Sequence, residues 1–302
     1  MKKYHRGLVS VIITTHNRKE MLVKAIESVL GQTYKKLECI VVDDASTDGT
    51  REHITEYINN KRILYYYISE NESRGGNYAR NVGLENASGD VVAFLDDDDE
   101  WLSTKIEKQL FKLSEENQFV YCGRIFGTGI EFYKLYEEDI KNCKYKEGDL
   151  SKEVLVHVIG VTSTIMVKHQ LIDKVGKFDE NLKAWQEYDL CIRLLQNTKA
   201  AIVREDLVLY RMQIDDKSRN TNNIDKWIES TQLIEKKYKE LFKQLGLMDC
   251  LRRKLYKCID GYNRAKNANN VFLKRKYWFS IVLNPAVVMI AVIKKLCPNG
   301  GL

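Results

Sequence analysis

The stretch from Asn71 to Trp101 (NESRGGNYARNVGLENASGDVVAFLDDDDEW) narrows the folds open to this chain more than any other. Its last third sets an apolar run, Val91 to Leu95, directly before Asp96, Asp97, Asp98 and Asp99. An apolar run of that length, bounded by Gly89-Asp90 and by carboxylates, predicts a buried strand of an α/β sheet. The carboxylates then sit just past its C-terminal end, where open α/β sheets bind ligands. Adjacent carboxylates repel one another unless a cation sits among them, so the pattern points to a hard divalent metal carrying a phosphate ligand. The bland alternative is a solvated acidic turn, but turn aspartates seldom follow a strand this apolar.

The preceding residues repeat the theme. Leu8 to Thr14 predicts a β-branched strand closed by His16-Asn17-Arg18, and Lys19 to Leu30 has helical spacing, with Met21, Leu22, Ala25, Ile26 and Val29 on one face. Leu37 to Val42 predicts a second strand, closed by Asp43-Asp44, with Ser46 or Thr47 capping a helix from about Thr50 to Asn59. A strand at Ile63 to Ser69 and a helix at Asn77 to Ala87 complete the run up to Val91. Alternating strands and helices of this length predict a doubly wound α/β sheet whose polar ends gather on one edge. Beyond it we expect a helix at Thr104 to Asn117, a strand at Phe119 to Gly129, a helix opened by Trp185-Gln186-Glu187, and short closing strands at Ala200 to Val203 and Leu207 to Tyr210. His16 reads as a polar loop residue, since no second histidine lies at ligand spacing.

At 302 residues and 44% hydrophobic content the chain can bury a large core. Its seven scattered cysteines form no C-x-x-C pair and read as reduced thiols of a cytosolic protein. The apolar run after Met1 is too short for a signal peptide and reads as the first strand. Charge is divided unevenly. Residues 1–216 carry 30 Lys/Arg against 36 Asp/Glu, a net of −6, and residues 217–302 carry 18 against 6, a net of +12. A basic tail on an acidic body meets something anionic.

Four ordered blocks carry a resemblance: VSVIITTHNR at 9–18, IVVDDASTDGT at 40–50, the stretch at 71–101, and VGKFDENLKAWQEYDLCIRL at 175–194. Together they resemble the bacterial family 2 glycosyltransferases of GT-A fold, over roughly residues 7 to 212. The resemblance implies a catalytic domain over 1–216, with a nucleotide-sugar half to about 103 and an acceptor half from about 104. It places Thr14 and Asn17 at the nucleotide edge, Asp44 on the uracil ring and Arg80 against the nucleotide. It places Asp96 and Asp97 near the ribose, and Asp98 on an Mn2+ or Mg2+ ion that bridges the donor's diphosphate. Glu187 matches the family's catalytic base, with Asp189 as the alternative. Two positions depart from the pattern: Gln186 stands where a first carboxylate is usual, and Gln213 where relatives often carry a histidine.

The implied reaction is inverting transfer of a sugar from a UDP-linked donor to a surface glycan or lipid-linked oligosaccharide. The chemistry is coherent: a metal neutralises the departing diphosphate, and one carboxylate activates the acceptor hydroxyl. The rival enzyme class, a sugar-phosphate nucleotidyltransferase, needs a Gly-rich, lysine-bearing loop after the first strand, where this chain has Thr14-Thr15-His16-Asn17-Arg18. A non-catalytic nucleotide-sugar-binding scaffold on the membrane is the third reading. Tyr121, Tyr133, Tyr136 and Tyr145 are candidate acceptor platforms or core residues. In the tail, Tyr277 to Ile293 is apolar, broken by Asn284-Pro285 and flanked by Lys274-Arg275-Lys276 and Lys294-Lys295. That layout predicts a helical extension over 217–302 lying in the interface of an anionic membrane, on the inner face of the cell membrane. A buried helical hairpin or a homo-oligomer contact is the alternative. Nucleic acid explains the charge poorly, because no reader motif is present.

Overall fold

A computed structural model of the chain describes residues 4–128, 131–133, 146–211 and 223–285. Its first half alternates strand and helix: β1 (His5–Thr15), α1 (Lys19–Leu30), β2 (Leu37–Asp44), α2 (Thr50–His53), α3 (Thr55–Asn59), β3 (Leu64–Ile68), α4 (Gly76–Asn86) and β4 (Gly89–Asp96). The four strands are parallel, in the order β3-β2-β1-β4. Register aligns their C-terminal ends, since Thr14 lies beside both Val42 and Asp96, and Thr15 beside Asp43.

The period of two in β1 sends its side chains to separate cores. Val9, Val11 and Ile13 pack with Leu22, Ala25, Ile26 and Val29 of α1 on one face, and Ile12 packs with Ala79 and Leu84 of α4 on the other. Helices therefore cover both faces of the parallel half. On α4, a Cβ at Gly83 would lie 2.4 Å from Ile12 Cγ2, so glycine is what lets this helix approach the sheet. The expected single helix from Thr50 is interrupted at Ile54. Its N-cap is Gly49, at φ 84°, and not Ser46 or Thr47. Asp48 takes the Thr50 N–H instead, while Ser46 accepts from the Asn17 N–H.

The second half extends the sheet with strands of both directions: β5 (Glu100–Trp101), α5 (Lys105–Lys112), β6 (Phe119–Thr128), β7 (Glu131–Tyr133), α6 (Glu153–Val156), β8 (Met166–Lys168), α7 (His169–Val175), α8 (Gln186–Leu195) and β9 (Ala200–Arg211). β8 runs antiparallel to β4, so that the described strands form one mixed sheet, β3-β2-β1-β4-β8-β6-β9-β5, with β7 on β6. The two expected closing strands are one continuous β9, with an irregular register where Cys122 and Gly123 of β6 face it.

Beyond β9 the described residues 223–285 carry four helices, α9 (Ile224–Lys237), α10 (Lys239–Phe242), α11 (Leu247–Asn267) and α12 (Val271–Val282). This segment is packed on the body, because Ile234 and Tyr238 belong to the main core. Gly261 lets α11, α12 and α9 meet, since a Cβ there would lie 2.8 Å from Tyr277 and 2.9 Å from Trp227. The boundary expected at 216/217, Gln213, Tyr136, Tyr145 and residues 286–293 of the apolar tail lie outside the described residues. Among the described residues no helix is long and apolar enough to cross a membrane. Cys39, Cys122, Cys191, Cys250 and Cys258 are free thiols.

Candidate active site

The aspartates following β4 form a tight turn, closed by the Asp99 N–H on the Asp96 carbonyl at 3.0 Å. The carboxylates are held by neighbours from several segments, and two of them share Arg18. Asp96 pairs with Arg80 of α4 at 2.7 Å. Asp97 accepts from the Thr15 hydroxyl at 2.8 Å and from Arg18 at 2.9 Å, and Arg18 also reaches Asp98 at 3.4 Å. Asp99 accepts from the Ser163 hydroxyl at 2.6 Å and the Arg211 N–H at 3.0 Å, while Ser163 Oγ accepts from the Asp96 N–H at 3.1 Å. Trp101 completes the frame by donating to the Ser163 carbonyl at 2.9 Å.

So much negative charge in one turn leaves a mark. Burial pushes the Asp97 carboxyl up to about 6, against the pull of Arg18. Burial and the neighbouring carboxylates Asp98 and Asp96 push Asp99 well above the carboxylate range. Of the three expected ligand-facing aspartates, Asp96 is the most open, with its side chain 30% exposed against 4% for Asp97 and 3% for Asp98.

The neighbouring loops supply the rest of the edge. Asp44, at the end of β2, is buried, and its Oδ1 has no hydrogen-bond partner. Asp43 beside it is spent on structure, accepting from the Tyr65 hydroxyl and the Ser46 N–H. His16 Nδ1 donates to the Asp44 carbonyl at 2.5 Å, which fixes it as the polar loop residue expected. Asn17, at φ 54°, accepts from the Thr47 N–H at 2.7 Å, so it braces the β1 loop against the β2 loop. Thr14 is half-buried beside Asp96.

Glu187 arrives from the other side. Two amides spaced one turn apart on α4 hold the loop that delivers it: Asn77 donates to the Asp179 and Leu182 carbonyls, and Asn81 donates to the Phe178 carbonyl and accepts from its N–H. The loop ends at Trp185, whose φ of 58° is rare for a bulky residue. Glu187 follows in the first turn of α8. Burial raises its carboxyl, its own N–H and the Arg80 charge oppose the shift, and Asp96 adds to it. Glu187 is thus within electrostatic reach of the Arg80–Asp96 pair.

Asp189 is not placed to serve as the alternative base. It is wholly buried and saturated by Arg193 at 2.7 Å, Lys237 at 2.7 Å and the Tyr238 hydroxyl at 2.7 Å. It anchors α8 to the extension. Tyr121 is likewise a core residue and not an acceptor platform, with its hydroxyl on the Lys146 carbonyl. The side chain of Tyr133 lies outside the described residues.

Sequence reasoning missed Thr15, Arg18, Asn77, Asn81, Ser163 and Arg211. Asn77 and Asn81 carried a legible signal, two amides at i and i+4 on a predicted helix. Ser163 and Arg211 carried none, because they come from distant segments.

The description Glycosyl transferase family 2 belongs to the family model that matches residues 10–175, which is more than half of the chain. The chain belongs to glycosyltransferase family 2. An uncharacterized glycosyltransferase of Rickettsia typhi is 34% identical over 218 residues, 71% of this chain and 66% of that protein. The GalNAc(5)-diNAcBac-PP-undecaprenol beta-1,3-glucosyltransferase of Campylobacter jejuni is 38% identical over 172 residues, 56% of this chain and 50% of that one. This family 2 glycosyltransferase thus spans less than two thirds of the length of either relative. In fold it is similar to the mannosyltransferase PcManGT of Pyrobaculum calidifontis, solved with GDP-Man and Mn2+. The TM-score is 0.61 and the identity 16%, over 97% of this chain and 88% of that one. It is also similar to S. aureus TarS 1-349 in complex with UDP, with a TM-score of 0.56 and 17% identity over 89% and 90% of the two chains.

Proposed function

We propose that the chain is an inverting, metal-dependent hexosyltransferase of GT-A fold, which moves a sugar from a UDP-linked donor to a surface-glycan or lipid-linked acceptor. The observation that carries this reading is the Arg80–Asp96 pair at the aspartate turn, whose two charges act on the Glu187 carboxyl from the start of α8. The family supports a nucleotide-sugar donor. The Campylobacter jejuni relative supports a lipid-linked acceptor by its name, as does an Escherichia coli relative named UDP-Glc:alpha-D-GlcNAc-diphosphoundecaprenol beta-1,3-glucosyltransferase WfaP, 43% identical over 112 residues, 37% of this chain and 43% of that one. Helices on both faces of the parallel strands support the doubly wound GT-A assignment.

In this reading the nucleotide lies along the C-terminal ends of β1, β2 and β4. Asp44 turns its orphaned Oδ1 to a ring N–H of the base. Thr14, Asn17, Asp96 and Asp97 shape the ribose edge, and Arg80 meets the nucleotide's negative charge. The residues present fit a divalent metal. The turn offers hard oxygen donors, and a metal that also takes phosphate oxygens needs only one or two protein carboxylates. Asp98, with Asp96 beside it, would hold it. When bound, the metal would offset the charge on the departing diphosphate. Glu187 takes the proton from the acceptor hydroxyl, and its raised carboxyl, closer to working pH, makes it a better proton acceptor than an ordinary glutamate.

We also propose the division into a catalytic body over 1–216 and a basic extension over 217–302, with the extension resting on an anionic membrane at its cytoplasmic face. Phe272, Trp278, Phe279 and Leu283 are exposed on or just after α12, which also carries Lys274, Arg275 and Lys276. Apolar rings beside cations suit an anionic lipid interface.

The test is release of UDP across a panel of UDP- and GDP-sugars with Mn2+, for the native chain and Asp98→Ala. Turnover with a UDP-sugar that chelator and Asp98→Ala both abolish is the expected result. Nucleotide binding without turnover on any donor would point to a scaffold.

A further inference from the structure

A concavity lies between α11 and the segments that carry His157 and Trp185. It measures about 300 Å³, at the small end of the roughly 300–1,000 Å³ of small-molecule sites. α11 lines it with one stripe of residues at helical spacing, Arg253, Tyr256, Asp260 and Asn263, and the body contributes His157 and Trp185. The stripe mixes ring faces with groups of both charges. His157 and Tyr256 have ring centroids 5.1 Å apart, and Arg253 Nε is a buried donor with no acceptor.

This lining is chemically selective. A sugar presents C–H faces that pack on aromatic rings and hydroxyls that both donate and accept, so it answers every class of group in the wall. A hydrocarbon chain would leave the Arg253 Nε donor unanswered and cover the polar ends of Asp260 and Asn263, which is costly. Ion pairing already occupies the cations, since Arg253 and Lys257 share Glu235 at 3.3 Å and 2.8 Å and Arg264 meets Asp260 at 3.1 Å. The wall therefore suits a neutral sugar better than a free anion.

The cavity is also wired to the proposed base. Trp185 Nε1 donates to Asp260 Oδ2 at 2.9 Å, and the next residues in the chain are Gln186 and Glu187. Asp260 in turn holds Arg264, whose charge acts on the Glu187 carboxyl.

We propose that this cavity binds a sugar residue of the acceptor glycan, and that α11 of the extension therefore sets which acceptor is used. The proposal rests on the glycosyltransferase reading and names the acceptor subsite within it. Tyr256 is 40% exposed and Asn263 is also exposed, so both can be truncated without opening the core.

The experiment is saturation-transfer NMR on the full chain with the p-nitrophenyl β-glycosides of glucose, N-acetylglucosamine and N-acetylgalactosamine, and with farnesyl phosphate as the lipid probe. UDP binding and UDP release are followed in parallel. At least one glycoside should bind, and Tyr256→Ala and Asn263→Ala should each weaken it by about fivefold, the effect of losing one ring or polar contact, with UDP binding unchanged. Glycoside binding that both variants leave intact overturns the proposal. So does an absence of binding by all three glycosides, or farnesyl phosphate alone responding to the variants. Glycoside binding that follows the variants in a chain that neither binds UDP nor releases it would strike the UDP-donor reading instead.

Discussion

Arg80 of α4 meets Asp96 at the end of β4 with 2.7 Å between Nη2 and Oδ1, while its guanidinium carbon stands 5.5 Å from the centre of the Phe178 ring. The side chain is fixed between the aspartate turn and the loop that delivers Glu187. Replacing it with alanine should weaken UDP binding by about tenfold to a hundredfold, the worth of a hydrogen bond to a charged group. Calorimetric titration of UDP checks this, and an unchanged affinity would make the pair a structural brace only.

Local signals in the sequence served well where the period of the apolar residues decides. α1 falls on its expected bounds, and β2, β4 and α4 within two residues of theirs, because each buries one repeating face. The alignment of Thr14, Asp44 and Asp96 on one edge followed from the parallel alternation. What could not be read was anything set by contact between distant segments. Ser163 and Arg211 clamp Asp99 across 64 and 112 residues. The choice between Glu187 and Asp189 was of the same kind. Two residues along a helix turn a side chain through about 200°, and only the packing of Lys237 and Tyr238 against α8 shows that Asp189 is the one turned inward.

The close approach of α4 to β1 gives a stability prediction. Gly83→Ala puts a methyl 2.4 Å from Ile12 Cγ2 in a packed core. It should cost about 1–3 kcal/mol, the usual price of overpacking. Urea denaturation measures it, and a midpoint equal to the native one would mean that α4 can shift outward freely.

Glu153 gives an acid-stability prediction. Its carboxyl is held well below the glutamate range, first by the hydrogen bond from His157 at 2.9 Å, then by Lys146 and Arg252, against the opposing effect of burial. A carboxylate depressed in the folded state stabilises it at pH above the unfolded value, about 4.3. That contribution is lost as pH falls below this through the folded value. Glu153→Gln should therefore lower the melting temperature at pH 7 and converge on the native chain in strong acid. A constant gap between the two at every pH would refute the linkage.

The raised Glu187 carboxyl sets the acid limb of the rate. A general base works only when deprotonated, so transfer should rise with pH through an inflection above the ordinary glutamate value of about 4.3. The profile of kcat against pH tests this. A rate that stays flat down through that value would remove Glu187 from the step.

The most direct test of the account is Glu187→Gln, compared with the native chain in sugar transfer and in UDP binding. Glutamine keeps the shape and cannot take the proton, so transfer should fall by about two to four orders of magnitude. UDP affinity should hardly change, since the loss belongs to the transition state. Transfer that survives in Glu187→Gln with UDP still bound would contradict the assignment of this carboxylate as the base.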